Sequence, residues 1–205
     1  MKTLNQYINE KLKVSKNQNQ YNYCPKTKEE LDNLLDQLLK ERGWEADLND
    51  IDTSNITDMS NLFYNMKVFN GDISDWDVSN VTNMSNMFYY CRSFEGKGLE
   101  NWDVSNVTDM HSMFYGCKKL DCDLSKWNVS NVENMKHMFD GCISFEGKGL
   151  ENWDVSNVTD MNVMFWGCGK LDCNLSNWDV SNVKYYDDIF NQCPIKDEYK
   201  PKFKK

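Results

Sequence analysis

The sequence of 205 residues contains only three prolines and two histidines, and no apolar run in it approaches the roughly 20 residues that a membrane-spanning helix needs. Its first 25 residues hold no signal-peptide core or cleavage site. A soluble protein without a membrane span or export signal is therefore expected, in the cytoplasm or a virion rather than on a cell surface. Cations are outnumbered 23 to 32, giving a net charge of −9. Nonspecific nucleic-acid binding works by basic side chains releasing counterions, so no nucleic-acid partner is expected.

The chemistry-bearing motifs are also missing. No Walker sequence or G-x-G-x-x-G occurs, and Gly96-Lys-Gly98 and Gly147-Lys-Gly149 are too short to cradle a phosphate. His111 and His137 have no recurring Ser, Cys and Asp at triad-like positions, and read as solvated surface. The eight cysteines stand singly rather than in the paired knuckles that grip zinc. Neither catalytic residues, a metal nor a cofactor are expected.

What is present is repetition. Trp76, Trp102, Trp127, Trp153 and Trp178 follow one another at alternating intervals of 26 and 25 residues. Eight positions on stand Met84, Met110, Met135, Met161 and Tyr186, and twelve on stand Phe88, Phe114, Phe139, Phe165 and Phe190. Cys91, Cys117, Cys142, Cys168 and Cys193 come three residues after each Phe, and a degenerate unit begins at Ile51. The alternation arises in the turn before each Trp, where Phe-Glu-Gly-Lys-Gly-Leu at 94–99 and 145–150 alternates with a form one residue shorter at 120–124 and 171–175. Two glycines permit positive φ, so the extra residue can be absorbed without shifting the next unit.

In Ile73-Ser-Asp-Trp76-Asp-Val78-Ser-Asn80, alternation sends Trp76 and Val78 to one face and Asp77 and Ser79 to the other, which predicts a short strand. The segment 81–91 has apolar spacing that suits a short helix or 3₁₀ turns. One such unit cannot bury its apolar face alone, whereas stacked units can. Asn80, Asn106, Asn131, Asn157 and Asn182 are expected as a buried ladder. The repeated Cys reads as a buried apolar column, with Cys117/Cys122 and Cys168/Cys173 the nearest pairs if disulfides form.

The recurring Trp-Asp-Val-Ser-Asn-Val-Thr-x-Met-x-x-Met-Phe-x-x-Cys resembles the bacterial surface protein repeat of about 26 residues, in the BspA-like class of leucine-rich repeats, over residues 50–193. That resemblance implies a right-handed α/β solenoid of about six coils with a parallel sheet, non-catalytic and often adhesive. The chain departs from the surface members in showing no export signal, lipoprotein motif or wall anchor.

The chain divides into an N-terminal arm at 1–26, a helical cap at 27–49, the repeats at 50–193 and a basic tail at 194–205. Thr27-Lys-Glu-Glu30 is a capping box, and the stripe Leu31, Leu34, Leu35, Leu38 and Leu39 before Gly43 predicts a helix over about 28–42. Leu4, Tyr7, Ile8 and Leu12 form an apolar stripe suited to docking. Residues 1–10 are similar to capsid-targeting peptides of internal proteins in T-even-type phages, which implies delivery of the protein into a virion or larger assembly through residues 1–14.

The expected function is a non-enzymatic protein-binding or structural repeat. Its binding face would present Asp77, Ser79, Asp103, Ser105, Lys126, Asn128, Ser130, Asp154, Ser156, Asp179 and Ser181 to a protein partner of basic character. A virion-associated structural role and surface adhesion stay open beside it. The Asp column reads as solvated surface, with Ca²⁺ binding the weaker alternative.

Overall fold

The structure, a computed structural model, describes residues 21–203. Leu4, Tyr7, Ile8 and Leu12 of the docking stripe lie outside the described residues. From Met84 onward every second backbone N–H points out of its own coil. Met84, Asn86, Phe88 and Tyr90 donate to the carbonyls of Asp109, His111, Met113 and Tyr115 in the next coil, at 2.7–2.9 Å. The N–H groups between them close turns within the coil, Met87 on Met84, Tyr89 on Asn86 and Cys91 on Phe88. The pattern recurs in the coils beginning at Met59, Met110, Met135 and Met161, so each backbone group of this segment finds a partner without a helix or a strand.

The expected parallel sheet does not form. Pairing is limited to single-residue parallel bridges, in a column Asp58, Asn83, Asp109, Asn134, Asp160 and Tyr185, with Tyr23 on Ile51 and Asp47 on Asp72. The residues around each Trp make no strand, and the segment 81–91 makes no helix. A right-handed leucine-rich-repeat-like α/β solenoid with a parallel sheet and helical cap is therefore not what this chain builds. The physical reason around each Trp is that the backbone closes on itself in turns, Trp76 N–H on the Ile73 carbonyl and Val81 N–H on the Val78 carbonyl. In the segment that follows, two positions four residues apart in each coil take positive φ, as at Asn86 (55°) and Tyr90 (57°), or Ser112 (53°) and Gly116 (69°). An extended run cannot pass through left-handed residues, so the chain zigzags through consecutive turns instead.

Burial follows the repeat columns. The Phe rings of the twelfth position stack through the core with centroids 5.3–5.7 Å apart from Phe63 to Phe190. Burying each such ring is worth about 1.5–3 kcal/mol. Each Trp of the repeat column is buried too, and its indole N–H donates to a carbonyl of the preceding coil: Trp76 to Leu48, Trp102 to Ile73, Trp127 to Leu99, Trp153 to Leu124 and Trp178 to Leu150. Cys91, Cys117, Cys142 and Cys168 are fully buried, and each thiol donates to a Phe carbonyl one coil back at 3.0 Å. All eight cysteines are unpaired thiols.

The long turns behave as their glycines require. Gly98 and Gly149 are left-handed (φ 87° and 88°), and each is followed by one 3₁₀ turn, Leu99–Asn101 or Leu150–Asn152. A Cβ on Gly98 would lie 2.6 Å from Ser74 Cα, and one on Gly149 2.3 Å from Ser125 Cα, so neighbouring coils touch there backbone to backbone.

Helix α1, Lys28–Arg42, is capped by Thr27, whose hydroxyl accepts from the Glu30 N–H, and it ends at Gly43. Its five leucines are buried in the same core cluster as the coils. Tyr23 pairs with Ile51 before α1, and Ala46 and Leu48 bond to Asp72 after it, so α1 stands where a coil of the repeat has its consecutive turns. At the other end, residues 195–203 lie against the last coil. Ile195 is buried, Leu175 N–H donates to Tyr199 O at 2.8 Å, and Phe203 stacks on Tyr186 at 4.4 Å.

Candidate functional site

The row Asp77, Asp103, Asn128, Asp154 and Asp179 lies on turns, not on a strand face. In each, the side-chain Oδ1 accepts the backbone N–H of the Ser two residues on, at 3.0–3.2 Å: Ser79, Ser105, Ser130, Ser156 and Ser181. This is the turn that Asp, Asn and Ser favour, because a short side chain replaces a backbone acceptor. The serines are thus drawn into the turn, and all but Ser181 are half-buried. The five turn-forming side chains and Lys126 are exposed. Trp and Val still point inward and Asp outward, as alternation requires, although no strand imposes it.

One residue further on, the Asn ladder knits the row together. Asn80, Asn106, Asn131, Asn157 and Asn182 donate side-chain amides to Ser54, Ser79, Ser105, Ser130 and Ser156 carbonyls of the preceding coil, at 2.7–2.9 Å. These asparagines are exposed rather than buried, since the amide reaches sideways along the surface. The carboxylates of Asp103 and Asp154 are held below the usual range, first by the side-chain hydrogen bond with Ser105 or Ser156 and then by that serine's backbone N–H. They are charged at neutral pH, which makes the row a rigid acidic strip.

The histidines are not simple solvated surface. His111 bonds Asp109 at 3.0 Å and Asn86 at 3.2 Å, and His137 bonds the buried Asp140 at 2.8 Å. Among the described residues no three His, Cys, Asp or Glu converge to hold a metal ion.

A family model described as Mycoplasma protein of unknown function, DUF285, matches residues 32–148 and again 87–200. The chain belongs to this family. The two matches overlap and are displaced by about two coils, as interchangeable repeats would produce. No curated protein and no solved structure matches the chain. Among the described residues of this DUF285 protein no helix is long and apolar enough to cross a membrane.

A second row escapes a reading centred on the Trp, Phe and Cys columns. Lys67, Arg92, Lys118, Ile143 and Gly169 succeed each other at intervals of 25 and 26, with Lys119 and Lys170 beside them. Five of the ten basic residues between 44 and 195 stand in this strip, and all five are exposed. The signal was the residue sixteen places after each Trp, hidden because Arg, Lys, Ile and Gly share no side-chain type.

Proposed function

We propose that this DUF285 protein is a non-enzymatic binding protein that recognises a basic protein partner through its acidic row of turns. The observation that carries this reading is the fixed, exposed row Asp77, Asp103, Asp154 and Asp179, one carboxylate per coil except at Asn128, each braced by a serine N–H. A rigid row of like charges costs little entropy to present and steers cationic partners toward it. The resemblance to BspA-like repeats, whose members are non-catalytic, supports the same reading.

The test is titration of the full chain with a synthetic oligolysine peptide, followed by calorimetry. Salt-sensitive binding is expected, weakened at least about tenfold by D103K/D154K, with the melting temperature nearly unchanged because both positions are exposed. Equal affinity of the double variant would show that the acidic row is not the recognition surface.

A further inference from the structure

The body carries two opposite charge rows built on one period. The acidic row has a carboxylate in every coil from Asp77 to Asp179 except at Asn128. The cationic row, roughly half a coil further along the chain, has Lys67, Arg92, Lys118 and Lys170, and it too loses its charge in the coil of Asn128, where Ile143 stands 48% exposed. None of Lys67, Arg92, Lys118, Lys119 or Lys170 makes an ion pair among the described residues. The lysines of the long turns differ, because Lys97 pairs with Asp72 and Lys148 with Asp121 and Glu146.

One member of the cationic row is also held in place. The Arg92 guanidinium lies over the Tyr90 ring, 5.2 Å from its centroid. That ring rests on Gly116, where a Cβ would meet it at 2.8 Å. Glycine at 116 thus seats Tyr90, and Tyr90 positions Arg92, so the charge needs little ordering on binding.

We infer that the cationic row docks the acidic row of a second copy of this chain, side by side and in register. Two copies share one coil spacing by construction, so alignment of a single coil aligns all of them. In that register Arg92 meets Asp77, Lys118 meets Asp103, the uncharged Ile143 meets Asn128, and Lys170 meets Asp154. A shift by one coil would set Ile143 against a carboxylate and a cation against Asn128. The contact uses different patches on the two copies, so it repeats from copy to copy and gives open lateral arrays rather than closed dimers. This inference rests on the proposal that the acidic row is a recognition surface, and it names the partner.

The experiment is sedimentation velocity of the full chain over a concentration series at about 0.02 M and about 0.5 M salt, where the Debye length falls from roughly 20 Å to roughly 4 Å. Wild type should associate at low salt and be monomeric at high salt. R92E/K118E and D103K/D154K should each be monomeric alone. Mixed together they should form one-to-one complexes, since each keeps the row the other lacks. Wild type monomeric at every concentration overturns the inference, while oligolysine binding that is lost in D103K/D154K would leave the recognition reading standing. Association indifferent to both double variants overturns it as well. So does a monomer that binds single-stranded DNA through Arg92 and Lys118.

Discussion

Glycine at 149 meets two separate demands, and two substitutions separate them. Its φ of 88° and ψ of −8° are left-handed, which costs an alanine about 1–2 kcal/mol. Its Cβ would also lie 2.3 Å from both the Cα and the N of Ser125, where carbon atoms ordinarily keep about 3.5–4 Å. Both are backbone atoms, so no side chain can swing away; the coils must part, straining the Leu124 N–H to Lys148 carbonyl bond of 3.1 Å beside them. Overpacking of that kind adds about 1–3 kcal/mol. Gly141 is the control. It is left-handed too (φ 73°), but a Cβ there meets only the Gly116 backbone, at an ordinary 3.6 Å from Cα and 3.8 Å from N. Alanine stiffens the unfolded chain at both sites, returning about 0.4–1 kcal/mol. Gly141→Ala should then cost about 1 kcal/mol and Gly149→Ala about 3 kcal/mol, or roughly 2–4 °C and 6–12 °C of melting temperature. Urea unfolding followed by tryptophan fluorescence reads the difference. Equal losses at the two sites would refute the claim that backbone contact, not handedness alone, demands glycine at 149.

Two further outcomes follow from the same geometry. Val163 holds φ 59°, where a β-branched side chain is strained and where other coils place Asn61, Asn86, Ser112, His137 or Asp188; Val163→Asn should raise stability by about 1 kcal/mol in a urea titration, and a loss would mean that Val163 is held by packing. Asp72 is pulled down to about 2, first by the Asn49 amide and next by the Ser74 hydroxyl. A depressed carboxylate stabilises above its unfolded value near 3.8 and loses that contribution as pH falls toward about 2. Acid melts should therefore show wild type losing stability across this window, and Asp72→Asn should flatten that part of the curve; parallel curves would place the loss elsewhere.

Much of this architecture can be read before any coordinates, because burial imposes itself on spacing. Up to the last coil, where Phe190 and Cys193 are half-buried, the Trp, Met, Phe and Cys columns are buried where the period places them, α1 occupies the leucine stripe between Thr27 and Gly43, and the paired glycines take positive φ. Local backbone geometry is not legible in the same way. Trp-Asp-Val-Ser alternates in and out on a strand, and it alternates equally on a turn whose Asp Oδ1 caps the Ser N–H, so side-chain pattern cannot separate the two. The left-handed positions defeat sequence reading for another reason: Asn86, Tyr90, Ser112, His137 and Val163 share the conformation but no chemistry. Inter-coil hydrogen bonds force the handedness there, overriding what each residue would choose alone. The same contrast hides the cationic row, whose position is exposed in every coil and holds no one side-chain type.

A coil built of turns divides its labour sharply between inside and outside. Inside, the Phe stack, the indole bonds and the thiol bonds each repeat once per coil, and any residue that breaks them disturbs both neighbours. Outside, a position such as that of Arg92, Lys118, Ile143 and Gly169 can change without unpacking the core, because it is exposed in every coil. Since the interior fixes the spacing of the exterior, any charge placed once per coil becomes a ruled line, and its partner must carry a line of matching period. Among possible partners, another copy meets that condition without further coincidence. The exceptions then carry the specificity, and here Asn128 and Ile143, both uncharged and in the same coil, are what distinguish one register from the next.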